Sequence, residues 1–299
     1  MITALLITLI SHLIGDFVLQ TDTMAKGRDS CNYVGITRIK RSIFYNLIHG
    51  IIHGLILLIL IVFVSYFTET YFYFPISLIA LITFIHVMID LLKPIIRGFP
   101  LKISSLANLV FKDLKLGSCN FNISKNKINF IIFLTDQLLH LIAIFIIFKL
   151  TLGIAPDSLY DFIVSLPSTT NIHDKILVIV LILFFSTFGA AYFSKSLLDS
   201  IKSDSDNIKN DMLPILSSKK LCSEEAKKGG FLIGILERLF IILGIVMSHP
   251  SVIAIVLTVK SIARYKKFDN DSFVEYYIIG TFFSFVIAIL GGVVIAKIL

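Results

Sequence analysis

Long apolar runs separated by short polar stretches set the pattern of this chain. A helix needs about 20 mostly apolar residues to cross roughly 30 Å of hydrocarbon at about 1.5 Å per residue. Runs of that kind lie at about 2–20, 42–67, 75–93, 128–150, 174–195, 231–248, 251–265 and 273–297. They predict an all-α fold, a polytopic transmembrane bundle of about eight helices. The seventh run is short and ends in Lys260, Arg264, Lys266 and Lys267. The first run lacks the basic start and small-residue cleavage site of a signal peptide and contains His12 and Asp16, so it is expected to be a retained helix.

The polar stretches between the runs set the expected orientation. Segment 21–41 carries Lys26, Arg28, Arg38, Lys40 and Arg41 against Asp22 and Asp29, and segment 94–127 carries Arg97, Lys102, Lys112, Lys115, Lys125 and Lys127 against Asp113. Segment 68–74 offers only Glu69, 151–173 offers Asp157 and Asp161, and His249-Pro250 is a bare turn. Basic stretches face the cytoplasm, so the alternation predicts both termini outside a bacterial cytoplasmic membrane. A polar stretch ending in Gly229-Gly230 suggests a division into a five-helix bundle at 1–195, a cytoplasmic linker at 196–230 and a three-helix module at 231–299.

Composition agrees with this reading. Charged residues make up 16% of the chain and hydrophobic ones 56%, whereas a soluble domain carries about 25% charged residues. The net charge of +7 therefore fits loops on the cytoplasmic side and not nucleic acid. Cys31, Cys119 and Cys222 are scattered and form no disulfide framework or zinc ribbon; they read as reduced thiols.

The chemistry lies in the first four apolar runs. They contain His12 and Asp16, His49 and His53, His86 and Asp90, and Asp136 and His140. Each pair is spaced four residues apart, which puts both side chains on one helix face one turn apart. With the orientation above, all four pairs fall in the cytoplasmic half of the membrane and could form one layer. Imidazole and carboxylate together suit a divalent metal such as zinc or manganese, and eight side chains leave room for two ions or for carboxylates that orient the histidines. Asp16, Asp90 and Asp136 are the candidate catalytic groups. Gln20, Asn46 and Gln137 are candidate supports, and Lys93 could hold an anionic substrate group. The alternative is hydrogen bonding between helices, although a mid-helix Asp costs about 2.5–3.5 kcal/mol on insertion scales and three of them need strong compensation.

In the C-terminal module, Glu237 and Arg238 lie inside the sixth run, Lys260 and Arg264 share a face of the seventh, and Glu275 opens the eighth. Glu237 or Glu275 could neutralise Lys260 or Arg264 and lock the helices together. Lys260 and Arg264 could instead contact an anionic headgroup, with Glu237 and Glu275 in support.

The motifs HLIGDFVLQTD, NLIHGIIH, HVMIDLLK and TDQLLH, followed by GILER, KSIARY and EYYIIGTFFS, together resemble a bacterial membrane family catalogued as a domain of unknown function, number 3307. The resemblance implies a bacterial inner-membrane protein and no established reaction. In residue type alone, the His/Asp-rich helices are also similar to membrane proteins described as metal-dependent hydrolases, which carries over no catalytic residue. The expected function is a metal-dependent hydrolase in the lipid bilayer, acting from the cytoplasmic face on a phosphorylated or lipid-linked substrate. An ion or proton-coupled transporter, or a non-catalytic sensor or partner subunit, are the rivals. The almost purely apolar outer halves of the helices favour a one-sided site.

Overall fold

A computed structural model of the chain describes residues 2–29, 35–69, 74–93, 125–153, 171–206, 220–269 and 271–299. Among these residues all regular structure is helical. We number the helices α1 (Ile2–Leu13, continued by a π-turn at Ile14–Val18), α2 (Asp22–Asp29), α3 (Gly35–Thr68), α4 (Ile76–Lys93) and α5 (Lys125–Leu152). Next come α6 (Ile172–Phe184, a π-turn at Phe185–Gly189, then Ala190–Asp206), α7 (Lys220–Val246), α8 (Ser251–Ile262) and α9 (Asp271–Ile298).

Six described helices are long and apolar enough to cross a membrane: α3, α4, α5, α6, α7 and α9. The first and seventh expected spans are the shorter apolar helices Ile2–Val18 and Ser251–Ile262. About a third of the residues in the most apolar window of each long helix are buried. Side chains such as Ile59, Leu150 and Phe282 are left 64%, 80% and 67% exposed. A face this apolar is the surface a bilayer covers. The chain is a polytopic helical membrane protein.

Two expected loops are in part helix. Segment 21–41 contains α2 and the start of α3; α2 begins where Thr21 Oγ1 accepts from the Met24 backbone N–H at 3.2 Å, an N-cap. The expected linker 196–230 is helical at both ends, because α6 runs to Asp206 and α7 starts at Lys220. Charge and glycine marked a break there, but neither stops a helix whose apolar part is anchored by packing. Cys31 and Cys119, and most of 94–127 and 151–173, lie outside the described residues.

The chain divides into two compact units, Met1–Ala155 with Asp199–Asn207, and Pro156–Leu198 with Ile208–Leu299. The first carries the four pairs. Within it α1 packs on α3 and α5, and α2 on α3. Gly50 and Gly54 lie one turn apart on α3 and admit α4. A Cβ at Gly50 would collide with Val87, and one at Gly54 would sit 3.0 Å from Thr83 Oγ1. Small residues permit such close approach between membrane helices.

In the second unit α6, the fifth expected span, packs with the C-terminal helices. Its segment 172–189 lies on α9, and its π-turn on α7. Ile241, Ile242, Phe285, Ala288 and Ile295 form the core, with Ile179, Ile182 and Leu183 of α6 against them. The composition of the polar stretch could not reveal which side of it this helix would bury.

Between α7 and α8 the chain turns at Ser248, whose φ is 60°. Ser248 N–H donates to the Ile245 carbonyl at 3.0 Å and His249 N–H to that of Gly244 at 2.7 Å, the paired bonds of a Schellman ending. Arg238, 3% exposed, donates from Nε to the Thr187 carbonyl at 3.1 Å and from Nη1 to Ser284 Oγ at 2.9 Å. Thr187 lies in the π-turn of α6, so one guanidinium ties α6, α7 and α9 together. Arg238→Ala is expected to destabilise this unit by about 1–3 kcal/mol, the cost of leaving a buried acceptor unsatisfied, and to lower the thermal unfolding midpoint in detergent. Arg238→Lys, which keeps the charge and one donor, should fall between the two.

Candidate metal centre

In the first unit α1 with its π-turn, α3, α4 and α5 each bring a pair to the bundle interior, because an i, i+4 spacing repeats on one helical face. His12, Asp16, His49, His53, His86, Asp90, Asp136 and His140 are all buried, none more than 6% exposed. His12 lies beside three other imidazoles, with centroids of His53, His86 and His140 at 5.8, 5.5 and 5.1 Å. His53–His86 and His86–His140 are closer, at 4.0 and 4.2 Å. The four pairs converge in one cluster.

Asp16 is its hub. Its Oδ1 lies 3.0 Å from His49 Nε2, 3.2 Å from His53 Nε2 and 4.0 Å from His86 Nε2. These separations bracket the roughly 3.3 Å between neighbouring ligand atoms on a tetrahedral ion with bonds near 2.05 Å. Asp16, His49, His53 and His86 each offer a ligand atom within 4.8 Å of the others, and His86, Asp90 and His140 do the same. The two groups share His86. His12 and Asp136 belong to neither, although His12 Nε2 is 3.7 Å from Asp16 Oδ2.

The local backbone makes room for this. Gly15 stands in the π-turn of α1, and a Cβ there would run into the ring of His53. Gly15→Ala is therefore expected to displace that ring, costing about 1–3 kcal/mol as an overpacked site. It should lower both the unfolding midpoint and the metal content of purified protein, measured together.

Cations hold the other carboxylates. Lys93 Nζ sits 2.8 Å from both Asp90 Oδ1 and Asp136 Oδ2, and Arg28 pairs with Asp90. Gln137 Nε2 donates to Asp16 Oδ2 at 2.8 Å and Asp136 Oδ2 at 3.2 Å. Arg28 Nε donates to Asn46 Oδ1 at 2.9 Å, and Asn46 donates to the Ser42 carbonyl at 2.9 Å. Gln20, oriented to satisfy both ends of its amide, donates to the Asp16 carbonyl at 3.0 Å and accepts from Arg28 Nη1 at 2.9 Å. Gln20, Asn46 and Gln137 thus all support the cluster. Lys93, expected on a substrate anion, is engaged by two carboxylates.

Arg28 is the residue that sequence reasoning passed over. It counted there as one of several basic loop residues, and nothing in its spacing separates it from Lys26 or Arg38. The available signal was electrostatic: three carboxylates inside helices demand more positive charge than Lys93 supplies.

Charge and hydrogen bonding both leave the cluster incomplete. With neutral histidines, Asp16, Asp90 and Asp136 exceed Arg28 and Lys93 by one negative charge, which is costly where water is excluded. His140 Nδ1 lies 2.8 Å from the Asp136 carbonyl oxygen. That oxygen only accepts, so Nδ1 carries the proton and Nε2 keeps a free lone pair. His140 Nε2, His53 Nε2, His86 Nε2, His49 Nδ1 and both ring nitrogens of His12 are buried without a hydrogen-bond partner. Orphaned imidazole nitrogens beside surplus carboxylate fit a divalent cation.

The remaining expected site residues lie in the second unit. Lys260 Nζ pairs with Glu237 Oε2 at 2.6 Å, the helix-locking bond expected of that pair. Glu275 is exposed and Arg264 half-buried, and no ion pair joins them among the described residues.

Fold and site together define a membrane-helix bundle with a buried His/Asp cluster able to hold a metal ion. The chain belongs to the family described as "Protein of unknown function (DUF3307)", which it matches over residues 4–166, more than half of its length. The match takes in all four pairs and Arg28, and stops before α6, so GILER, KSIARY and EYYIIGTFFS lie beyond it. No curated protein and no solved structure matches the chain.

Proposed function

We propose that this protein is a membrane-embedded, metal-dependent hydrolase acting on a phosphorylated or lipid-linked substrate from the cytoplasmic side. The observation that carries the reading is the set of buried imidazole nitrogens without hydrogen-bond partners, gathered around a carboxylate hub at ligand-like separations. A divalent ion, zinc or manganese, would be held first by Asp16, His49, His53 and His86. A second ion at His86, Asp90 and His140 would have to compete with Arg28 and Lys93 for Asp90, so one ion is the expected resting content. Such a metal supplies Lewis acidity and lowers the pKa of water.

The chain's own groups do the rest. Gln137 and Lys93 fix Asp16 and Asp136, and Asp136 Oδ1 has no hydrogen-bond partner, so Asp136 is the carboxylate placed to accept a proton from attacking water. The apolar side chains beyond the histidines support a site reached from one end over a through-path for ions.

Hydrolysis of a phosphodiester and of a carboxylic ester, each carrying an acyl chain, by detergent-purified protein tests the reaction. Turnover should vanish with chelation, return with zinc or manganese, and be lost in Asp136→Asn with metal retained. Metal-loaded protein that cleaves neither bond type would overturn the hydrolase reading.

A further inference from the structure

The second unit carries a charge surplus of the opposite sign, between α7 and the end of α8. Glu237 and Arg238 are neighbours on α7, and both are buried. Lys260 takes Glu237, at 2.6 Å. Arg238 donates to two neutral acceptors, the Thr187 carbonyl and the Ser284 hydroxyl. Its Nη2 makes no hydrogen bond among the described residues, yet it is not sealed inside the helices. Arg264, half-buried at the end of α8, has no ion pair or side-chain hydrogen bond among the described residues. Arg238, Lys260 and Arg264 thus share one carboxylate that is already paired, which is costly on helices that meet hydrocarbon.

Two glycines bring the guanidinium groups to one place. A Cβ on Gly234 would lie 3.6 Å from Nη1 and Nη2 of Arg238, and one on Gly230 would lie 3.6 Å from Nη2 of Arg264. Residues four apart share a helix face, with Cβ positions about 5–6 Å from each other. Arg238 reaches its glycine because a long helical side chain leans back over the preceding turn. Arg264 reaches the other because α8 folds back along α7 after the turn at Ser248. Ser261 Oγ, 3.0 Å from Tyr277 Oη, pins the end of α8 to α9. The result is a notch of bare backbone on α7 with a guanidinium over each glycine.

Two forked donors on neighbouring positions suit a phosphate, whose oxygens accept in pairs. The notch lies in the first two turns of the span that begins at Gly229, a depth at which lipid phosphates meet hydrocarbon. Tyr265 and Lys266 beside it are exposed, and both residue types favour a membrane interface. We propose that Arg264 and Arg238 bind a phosphate group at the notch formed by Gly230 and Gly234. Lipid headgroups and water-borne phosphate esters share this chemistry, and the depth of the notch favours the lipid. The site rests on neither the metal centre nor the hydrolase reading, since all its residues belong to the second unit.

The test uses full-length protein in detergent, with retained ligand read by native mass spectrometry. The probes are phosphatidylglycerol and diacylglycerol with the same chains, and inorganic phosphate is titrated separately by calorimetry. Phosphatidylglycerol should be retained and diacylglycerol lost. Arg264→Gln should weaken phosphatidylglycerol about tenfold, as expected for a lost charge-assisted contact, and Arg264→Lys should fall between that variant and wild type. Gly230→Leu, which keeps every charge but fills the notch, should also release the lipid. Lys266→Gln removes the same charge from an exposed position and should change retention little. Unfolding midpoints of the Arg264 and Lys266 variants should equal that of wild type. Inorganic phosphate that binds by itself would assign the site to water-borne phosphate esters, and phosphate that does not bind would assign it to the headgroup. Equal retention of diacylglycerol, or equal losses in Arg264→Gln and Lys266→Gln, would overturn the proposal.

Discussion

Replacing Asp16 by alanine is expected to reduce the metal retained by the purified protein at least about tenfold, because even loss of a partner that only orients a ligand costs 10- to 100-fold in affinity. Asp16 faces His12, His49, His53 and His86 at once, so no other single change removes as many ligand-side contacts. Asp136→Ala, outside both ligand groups, should retain metal. Elemental analysis of the two proteins side by side distinguishes a hub from a general loss of charge. Equal metal loss in both would deny Asp16 its special place.

Asp90→Ala should be the most destabilising change in the first unit. Among the described residues it leaves Arg28, 7% exposed, with the amides of Asn46 and Gln20 as side-chain partners. Breaking a buried ion pair from one side costs about 3–5 kcal/mol. Arg28→Ala should cost less, because Lys93 still holds Asp90 at 2.8 Å. Thermal unfolding in detergent should therefore rank wild type above Arg28→Ala and Arg28→Ala above Asp90→Ala. The reverse order would mean that Lys93 does not compensate Asp90.

Much of this was legible from spacing alone. Apolar length marked the spanning helices, since the bilayer imposes one dimension on all of them. The four-residue spacing marked the cluster, since it needs only the helical repeat. What stayed hidden depends on tertiary placement. The π-turn at Ile14–Val18 and the space that Gly15 leaves for His53 have no periodic signature. Arg28 looked like an orienting loop charge because its helix folds back over α3, and only packing brings it to Asp90. The packing of α6 with α7 and α9 was not legible, because an apolar helix can pack on either side of a polar stretch. Lys93 was assigned to a substrate anion by charge, but two carboxylates one helix apart claim it first.

The central claim is that the His/Asp cluster holds a divalent cation. The most direct measurement is elemental analysis of wild-type protein purified without chelator, joined to X-ray absorption at the edge of the metal found. About one zinc or manganese per chain is expected, with imidazole nitrogens and a carboxylate oxygen at roughly 2.0–2.2 Å, and with the signal lost in His49→Ala. Protein that is folded, free of metal and unable to take up added zinc or manganese would contradict the claim.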